Sequence, residues 1–299
     1  MDRLSIETYE RAVKLLPPEM RKAAQDLNKL ERERAEELRL RALYPPTVLS
    51  GGRELPLALP AVTRRDLLSV LEFATGASAH TAQDSIRRGF VTARGGFRVG
   101  LCGTAVMGES GVSVLRDFTS LSIRIPTERR DCADTVYPKL FGGGLKSALI
   151  LSPPGVGKTT LLRELIRRLS EGGARVCVAD ERGEIAGVYG GSPQMDVGPR
   201  TDVLTGAPKA EAAMMLLRAM NPEILALDEI TDPRDSLACA SAANCGVALL
   251  ATAHAASVDE LRGKPLYREL LDSAVFDSAV VIRMSAGERI YTVTDLSSD

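Results

Sequence analysis

From Asp131 onward, short apolar runs alternate with amphipathic segments. We predict strands at Ser147–Leu151, Arg175–Ala179, Ile224–Leu227, Val247–Thr252, Ala279–Ile282 and Arg289–Val293. Helices are predicted between most of them, at Lys158–Ser170, Lys209–Met220, Asp235–Asn244 and, once or twice, between Val258 and Ala274. Fully apolar strands that alternate with helices are typical of a parallel sheet covered on both faces. We therefore expect an α/β domain over residues 128–299.

Residues 1–127 show a different pattern. Apolar and charged positions recur at helical spacing from residue 5 to 42 and are interrupted at Pro17-Pro18, which predicts a second, mixed-charge helix over Glu19–Arg41. After it we predict a strand-like region at Thr47–Leu59, helices at Thr63–Thr75 and Thr81–Arg88, and strands at Phe90-Val91, Phe97–Val106 and Ser120–Ile125. This pattern indicates a smaller mixed α+β domain that ends near Pro126.

Composition narrows the class of protein. The chain is 44% hydrophobic and 26% charged, as in soluble globular proteins, and its net charge of -1 gives no global attraction to nucleic acid. The acidic residues Asp2, Glu7 and Glu10 argue against an export signal. The longest uncharged stretch, Ser236–Ala256, contains polar positions and predicts a buried helix and strand rather than a membrane span. Five cysteines without a CxxC pair favour reduced thiols in a cytosolic protein.

The segment SPPGVGKTT follows an apolar strand and opens a helix, which is the context of a phosphate-binding loop. Gly155 and Gly157 let the backbone approach phosphates, and the helix N-terminus adds N–H groups and a positive dipole. We expect Lys158 to contact the β- and γ-phosphates of ATP and Thr159 to bind Mg²⁺. A glycine-rich turn before a helix-start lysine is the alternative. The predicted nucleotide-binding residues are Ser152, Pro153, Pro154, Gly155, Val156, Gly157, Lys158, Thr159 and Thr160.

A second apolar strand ends in two carboxylates, Asp228 and Glu229. Ligands of parallel sheets bind at the carboxyl ends of the strands, so both acids are expected beside the nucleotide. Asp228 is predicted to hold Mg²⁺ through its water shell, and Glu229 to orient or activate the attacking water. The acid pair disfavours a small-molecule kinase, which needs no water-activating base.

Two further segments stand at the ends of the second and fourth predicted strands. ADERGE places acids after the second strand, where Glu181, preferred to Glu184, is interpreted as assisting water or metal positioning; a solvated loop held by Arg182 is the alternative. His254 ends the fourth strand and is interpreted as a sensor of the γ-phosphate, with a capping or core role as the alternative.

The extra strand between the two nucleotide motifs, together with the polar sensor strand, indicates a RecA-like P-loop ATPase. Such ATPases usually act as rings in which an arginine of a neighbouring subunit completes each site. The candidate arginines are Arg116, Arg124, Arg130, Arg200 and Arg234.

Several longer segments are more specific than these motifs. They are SPPGVGKTTLLREL, VADERGEIAG, DVGPRTDVLTGAPKAEAAMMLLRAMNPEILALDEI and ATAHA, and, nearer the N-terminus, EELRLRALYPP, RRGFVTARGGFRVGLCGTAV and LRDFTSLSIRIP. Over nearly its whole length the chain resembles the stage III sporulation protein AA family, which is similar to the ATPases of type II and type IV secretion and of type IV pili. Ser152, in place of the usual first glycine, matches that family. The resemblance implies that ADERGE corresponds to the acidic box of secretion ATPases and His254 to their histidine box.

The resemblance also implies a biological setting. It indicates a cytoplasmic ATPase of the mother cell in an endospore-forming bacterium, peripheral to the membrane through its partners. These partners would be further copies of itself in a hexameric ring and integral membrane proteins of the channel complex that joins mother cell and forespore. The alternative from a different class of function is a nucleotide-gated scaffold, in which hydrolysis is incidental.

A single-stranded nucleic-acid translocase is the third alternative. Some plastid and cyanobacterial proteins with this ATPase core append an R3H module, for which a chain ending at Asp299 leaves no room. The RGGFRVG segment is faintly similar to a KH-type loop, although a β-turn explains it better. Nucleic acid is therefore not expected as a partner.

Overall fold

The computed structural model describes residues 3–76, 83–109, 111–126 and 129–296. The chain divides into two compact units, Met1–Glu128 with Gly187–Met195, and Arg129–Ala186 with Asp196–Asp299. The boundary expected between residues 127 and 128 lies outside the described residues. The division expected from the sequence had placed Gly187–Met195 in the second domain.

The first unit is built on a six-stranded antiparallel sheet in the order β3-β2-β1-β6-β5-β4. The strands are β1 Ala35–Arg41, β2 Thr47–Ser50, β3 Arg53–Pro56, β4 Phe90–Ala93, β5 Phe97–Gly108 and β6 Gly111–Arg124. The helices are α1 Arg3–Ala12, α2 Pro18–Gln25, α3 Lys29–Glu33, α4 Arg64–Thr75 and α5 Gln83–Arg87. The expected mixed α+β organisation is thereby confirmed. The RGGFRVG segment forms the turn between β4 and β5 and the start of β5.

The helix predicted over Glu19–Arg41 is wrong in its second half. Only α2 and α3 are helical, and the chain then enters β1, which pairs with β2 on one side and β6 on the other. Leu38 and Leu40 are almost fully buried and alternate with Arg39, so their period is two residues, as in a strand. Dense charge of both signs on either side concealed this alternation.

Other boundaries in this unit also differ from the predictions. The region Thr47–Leu59 is the β2–β3 hairpin, and the strand expected at Ser120–Ile125 is the end of the much longer β6. The helix at Thr63–Thr75 is confirmed as α4, which a reciprocal Thr63–Asp66 capping box begins. The first two residues of the helix expected at Thr81–Arg88 lie outside the described residues.

The segment Gly187–Met195 packs within the first unit against the turn between β4 and β5. Gly95 N donates to Gln194 Oε1 at 2.8 Å. Met195 is buried, and a Cβ on Gly96, whose φ is 74°, would lie 2.3 Å from Met195 Cε, so another residue here would be strained and would displace that side chain.

The second unit has a seven-stranded sheet in the order β13-β12-β7-β11-β10-β8-β9. All neighbours are parallel except the pair β12 and β13. The strands are β7 Ala148–Leu151, β8 Val176–Asp180, β9 Thr201–Thr205, β10 Ile224–Glu229, β11 Ala248–Ala253, β12 Ser278–Ser285 and β13 Glu288–Asp295. The helices are α6 Tyr137–Phe141, α7 Lys158–Glu171, α8 Lys209–Ala219, α9 Pro233–Asn244, α10 Val258–Arg262 and α11 Pro265–Asp272.

The predicted α/β class with a parallel, RecA-like sheet is confirmed. The strands β7, β8, β10 and β11 are central and apolar because helices cover both faces of the sheet. Their carboxyl ends meet at one edge, and the loops that follow them lie side by side. Strand β9 was not predicted, because this edge strand is half-exposed and its sequence TDVLT has few apolar positions. Among the described residues, no helix is both long and apolar enough to cross a membrane.

Replacing Leu38 tests the strand assignment of β1. Leu38→Ala is expected to lower the free energy of unfolding by about 2–5 kcal/mol, because it leaves a cavity in the core of the first unit. The control is Leu30→Ala in α3, whose side chain is 49% exposed and whose change should be within about 0.5 kcal/mol. Urea denaturation measures both variants, and equal effects would contradict the assignment.

Candidate functional site

The loop between β7 and α7, which the sequence predicts to bind phosphate, contains two glycines with positive φ. Gly155 and Gly157 have φ values of 75° and 115°, and Gly157 precedes the first residue of α7. Pro153, Pro154 and Gly155 are exposed. Ser152 is fully buried, and its hydroxyl donates to the carbonyl of Pro153 at 2.8 Å. A serine at this position therefore satisfies its polar group within the loop itself.

Lys158 opens α7 and folds back into this loop. Its side chain is buried, and Nζ donates to the carbonyl oxygen of Ser152 at 3.1 Å. Burial lowers the pKa of Lys158, whereas the negative charges of Glu229 and Asp228 act in the opposite direction. The ammonium is thus surrounded by acceptors at the carboxyl edge of the sheet.

His254 joins Lys158 to Glu229. Its Nδ1 lies 2.6 Å from Lys158 Nζ, and its Nε2 lies 3.0 Å from Glu229 Oε2. An ammonium only donates, so this contact assigns Nδ1 as the acceptor and places the hydrogen on Nε2, which donates to the carboxylate. Three of the predicted catalytic residues therefore form one continuous hydrogen-bonded chain.

Asp228 lies next to Glu229 among other acids. Burial, followed by the charges of Glu184 and Asp180, raises its pKa from 3.8 to about 6. Thr252, on the adjacent β11, donates to Oδ1 at 3.4 Å. A divalent cation would relieve this repulsion. In the described part of the chain, no group of three His, Cys, Asp or Glu side chains is placed to bind a metal ion by itself. Mg²⁺ does not require such a group when phosphates supply its other ligands.

Glu181 is placed differently. Its Oε2 accepts from Lys209 N at 3.4 Å and lies 3.6 Å from Lys209 Nζ. Lys209 is buried at the start of α8, and its Nζ also donates to Thr231 and pairs with Asp235. The described contacts of Glu181 are therefore with Lys209 and not with the hydrogen-bonded residues around His254.

Asp180 organises the rest of the acidic segment and was not predicted as a site residue. Its buried carboxylate accepts from the backbone N–H groups of Glu184, Ile185 and Ala186 at 2.9–3.2 Å. Burial raises the pKa of Asp180, while these donors and the charge of Arg163 act against the shift. Arg163, on α7, donates to the carbonyls of Glu184 and Ile185, both at 2.6 Å. The acidic segment is thereby fixed to α7. Asp180 follows the apolar residues of its strand, as Asp228 does. This shared position could have identified Asp180 as a site residue from the sequence.

The five candidate arginines all have contacts within their own chain. Four pair with a carboxylate, and Arg200 donates to the carbonyl of Gly173. The four pairs are Arg116–Asp117, Arg124–Glu37, Arg130–Asp196 and Arg234–Asp232. No described contact brings any of the five to Lys158 or Glu229.

The order of the strands, with a glycine-containing loop after β7 and carboxylates at the end of β10, is that of a RecA-like fold. The fold is similar to that of the ATPase DotB of Legionella pneumophila, with a TM-score of 0.58 and 17% identity over 96% of this chain and 78% of that one. It is also similar to the pilus retraction motor PilT with bound ADP, with a TM-score of 0.58 and 17% identity over 90% of this chain and 82% of that one.

The family model for sporulation stage III, protein AA matches residues 7–294. The chain is also 35% identical over 278 residues to Stage III sporulation protein AA of Bacillus subtilis (strain 168), which covers 91% of this chain and 90% of that protein. It belongs to the stage III sporulation protein AA family, and the resemblance stated from its sequence is confirmed. The uncharacterized protein ycf45 of Porphyra purpurea is 36% identical over 128 residues, 42% of this chain and 22% of that protein.

The raised pKa of Asp228 predicts a pH-dependent effect on stability. The folded state binds this proton more tightly than the unfolded state, so stability is lost as the pH rises from about 4 to about 6. Without nucleotide or metal, Asp228→Asn should raise the free energy of unfolding at pH 7.5 by about 1–2 kcal/mol, a gain that disappears at pH 4.

Chemical denaturation at the two pH values measures this gain. Asp202→Asn, at an exposed carboxylate of β9, is the control. An equal gain at pH 4 and pH 7.5 would contradict the assigned shift.

Proposed function

We propose that this protein hydrolyses ATP to ADP and phosphate and uses the free energy to drive a membrane-associated assembly during sporulation. The hydrogen-bonded chain Lys158–His254–Glu229 carries this proposal, because it links a phosphate-binding lysine to a carboxylate that can orient water. Membership of the sporulation family and the secretion-ATPase fold support it.

The residues of the loop fit a nucleoside triphosphate. Residues 152–160 would hold the phosphates, with N–H groups at the start of α7 and the ammonium of Lys158 as donors. A Cβ on Gly155 would meet no atom within 4 Å, so this part of the loop is open. Thr159 and Asp228 would hold Mg²⁺. When bound, Mg²⁺ neutralises phosphate charge and so stabilises the negative charge that develops during transfer.

Glu229 orients a water for in-line attack on the γ-phosphate and accepts its proton. Lys158 exchanges the carbonyl of Ser152 for phosphate oxygens when substrate binds. Because His254 contacts both residues, a movement of the ammonium alters the hydrogen bond to Glu229. The presence or absence of phosphate at Lys158 therefore alters, through His254, the hydrogen bonding of Glu229.

We assign the metal- or water-positioning role of the acidic segment to Glu184 rather than Glu181. The charge of Glu184 reaches Asp228, whereas Glu181 pairs with Lys209. Glu181 then acts on the site through the position of α8.

The active form in this proposal is a homo-oligomeric ring, a hexamer, in which an arginine of one subunit completes the site of the next. The ring would work in the cytoplasm of the mother cell, at the membrane, with integral membrane proteins of the channel complex. Arg234 is the first candidate for the arginine in trans, because its side chain is 70% exposed at the start of α9.

Two variants separate binding from hydrolysis. Lys158→Ala should abolish nucleotide binding, because the loop loses its buried cation. Glu229→Gln should bind ATP like the wild type and lose about a hundredfold or more of its turnover, since an amide cannot accept the proton. The control is Glu211→Gln, at an exposed carboxylate of α8. Phosphate release, binding of a fluorescent ATP analogue and light scattering would be measured on the same samples.

Retention of turnover in Glu229→Gln would overturn the catalytic assignment. Binding without any Glu229-dependent turnover, with or without membrane partners, would favour a nucleotide-gated scaffold. Stimulation of hydrolysis by single-stranded DNA or RNA would favour a nucleic-acid translocase.

A further inference from the structure

The β12–β13 hairpin extends beyond the strand that carries the phosphate-binding loop. Strand β12 pairs with β7 only over Ser278–Val281, where Val281 is opposite Leu151, the last residue of β7. The rest of β12 and the start of β13 continue past this point, joined by a turn with positive φ at Ala286 and Gly287. This overhanging end lies at the level of the loop that follows Leu151.

Arg289, in the overhanging part of β13, contacts the loop directly. Its Nε donates to the carbonyl oxygen of Val156 at 2.6 Å. A Cβ on Gly157 would lie 3.0 Å from the same Nε, so the guanidinium packs against the loop backbone. In the part of the chain that the structure describes, no carboxylate pairs with Arg289, and a structural ion pair therefore does not account for it.

The contact fixes the orientation of one peptide group. The carbonyl of Val156 and the N–H of Gly157 belong to the same planar trans peptide, in which the two groups point in opposite directions. Holding the carbonyl toward β13 therefore holds the N–H of Gly157 away from β13. Gly155 and Gly157, on either side of Val156, both have positive φ, and the wide φ/ψ range of glycine gives this segment other orientations when the contact is lost.

We propose that Arg289 is a positioning residue of the phosphate-binding loop. Its Nε–H holds the Val156–Gly157 peptide in the orientation that presents the Gly157 N–H to phosphate, and so sets nucleotide affinity within one subunit. This inference rests on the proposed nucleotide-binding function and adds to it a residue 133 positions away in sequence from the loop it orients.

A lysine places its donor differently. Lysine carries a methylene carbon where arginine carries Nε, so Arg289→Lys keeps the charge and loses the donor at the position that faces Val156. Without this hydrogen bond from a charged donor, the peptide orientation that is competent to bind is less populated, and nucleotide binding is expected to weaken about tenfold. Arg289→Ala and Arg289→Lys should therefore weaken binding to a similar extent.

The experiment measures the Kd of a fluorescent ADP analogue for the full-length wild type, Arg289→Ala, Arg289→Lys and Arg283→Ala. Arg283 is exposed on the same hairpin and is the matched control, expected to bind within about twofold of the wild type. Hydrogen exchange over residues 153–158 should be faster in both Arg289 variants, with unchanged exchange in β7 and β11. In turnover, KM should rise about tenfold while kcat changes less than about threefold.

Binding by Arg289→Lys equal to the wild type would overturn the inference, because charge alone would then suffice. Binding by Arg289→Ala equal to Arg283→Ala would overturn it as well, while leaving the proposed function intact. If the wild type bound no nucleotide, the proposed function and this inference would both be overturned. Arg289→Lys also preserves side-chain bulk, so the inference can be tested with this variant even if Arg289→Ala is unstable.

Discussion

A buried ammonium group has to be surrounded by acceptors, and this requirement organises the second unit. Removing the charge of Lys158 from water costs several kcal/mol unless partners replace its hydration. The partners come from three strand ends: the carbonyl of Ser152 after β7, the imidazole of His254 after β11 and the charges of Asp228 and Glu229 on β10. These strands are neighbours and parallel, so their carboxyl ends supply all the partners at one edge.

The same principle extends outward from this cation. The buried carboxylate of Asp180 is satisfied by three backbone N–H groups, and Arg163 satisfies the carbonyls of the same loop. Lys209 forms a second buried cationic centre, with Glu181 and Asp235 around it. Each of these charged side chains thus holds the backbone or the side chains of a loop in place. Polar contacts hold the loops of the site, while the apolar core beneath supports the strands.

Patterns within short stretches of the sequence predicted the elements whose structure depends only on those stretches. The loop between β7 and α7, the acid pair at the end of β10 and the apolar strands β7, β10 and β11 follow from short runs of residues whose environment is uniform along the run. Strand β1 was assigned to a helix because its two buried leucines lie among charges of both signs, and only pairing with β2 and β6 selects the extended form. The pairing of Glu181 with Lys209 and the contact of Arg289 with Val156 join positions distant in the chain, so no local spacing revealed them.

The placement of Gly187–Met195 in the first unit affects how the protein is made. A ribosome completes the first 128 residues well before it reaches Gln194, whose side chain accepts from Gly95 N. The first unit therefore lacks part of its packing until β7, α7 and β8 have also been synthesised. Domains generally fold as units during synthesis, from the N-terminus onward. Here the earlier unit has to wait for a segment of its own that is synthesised after part of the later unit. The two units therefore cannot mature in strict succession, and no single cut in the gene yields both intact.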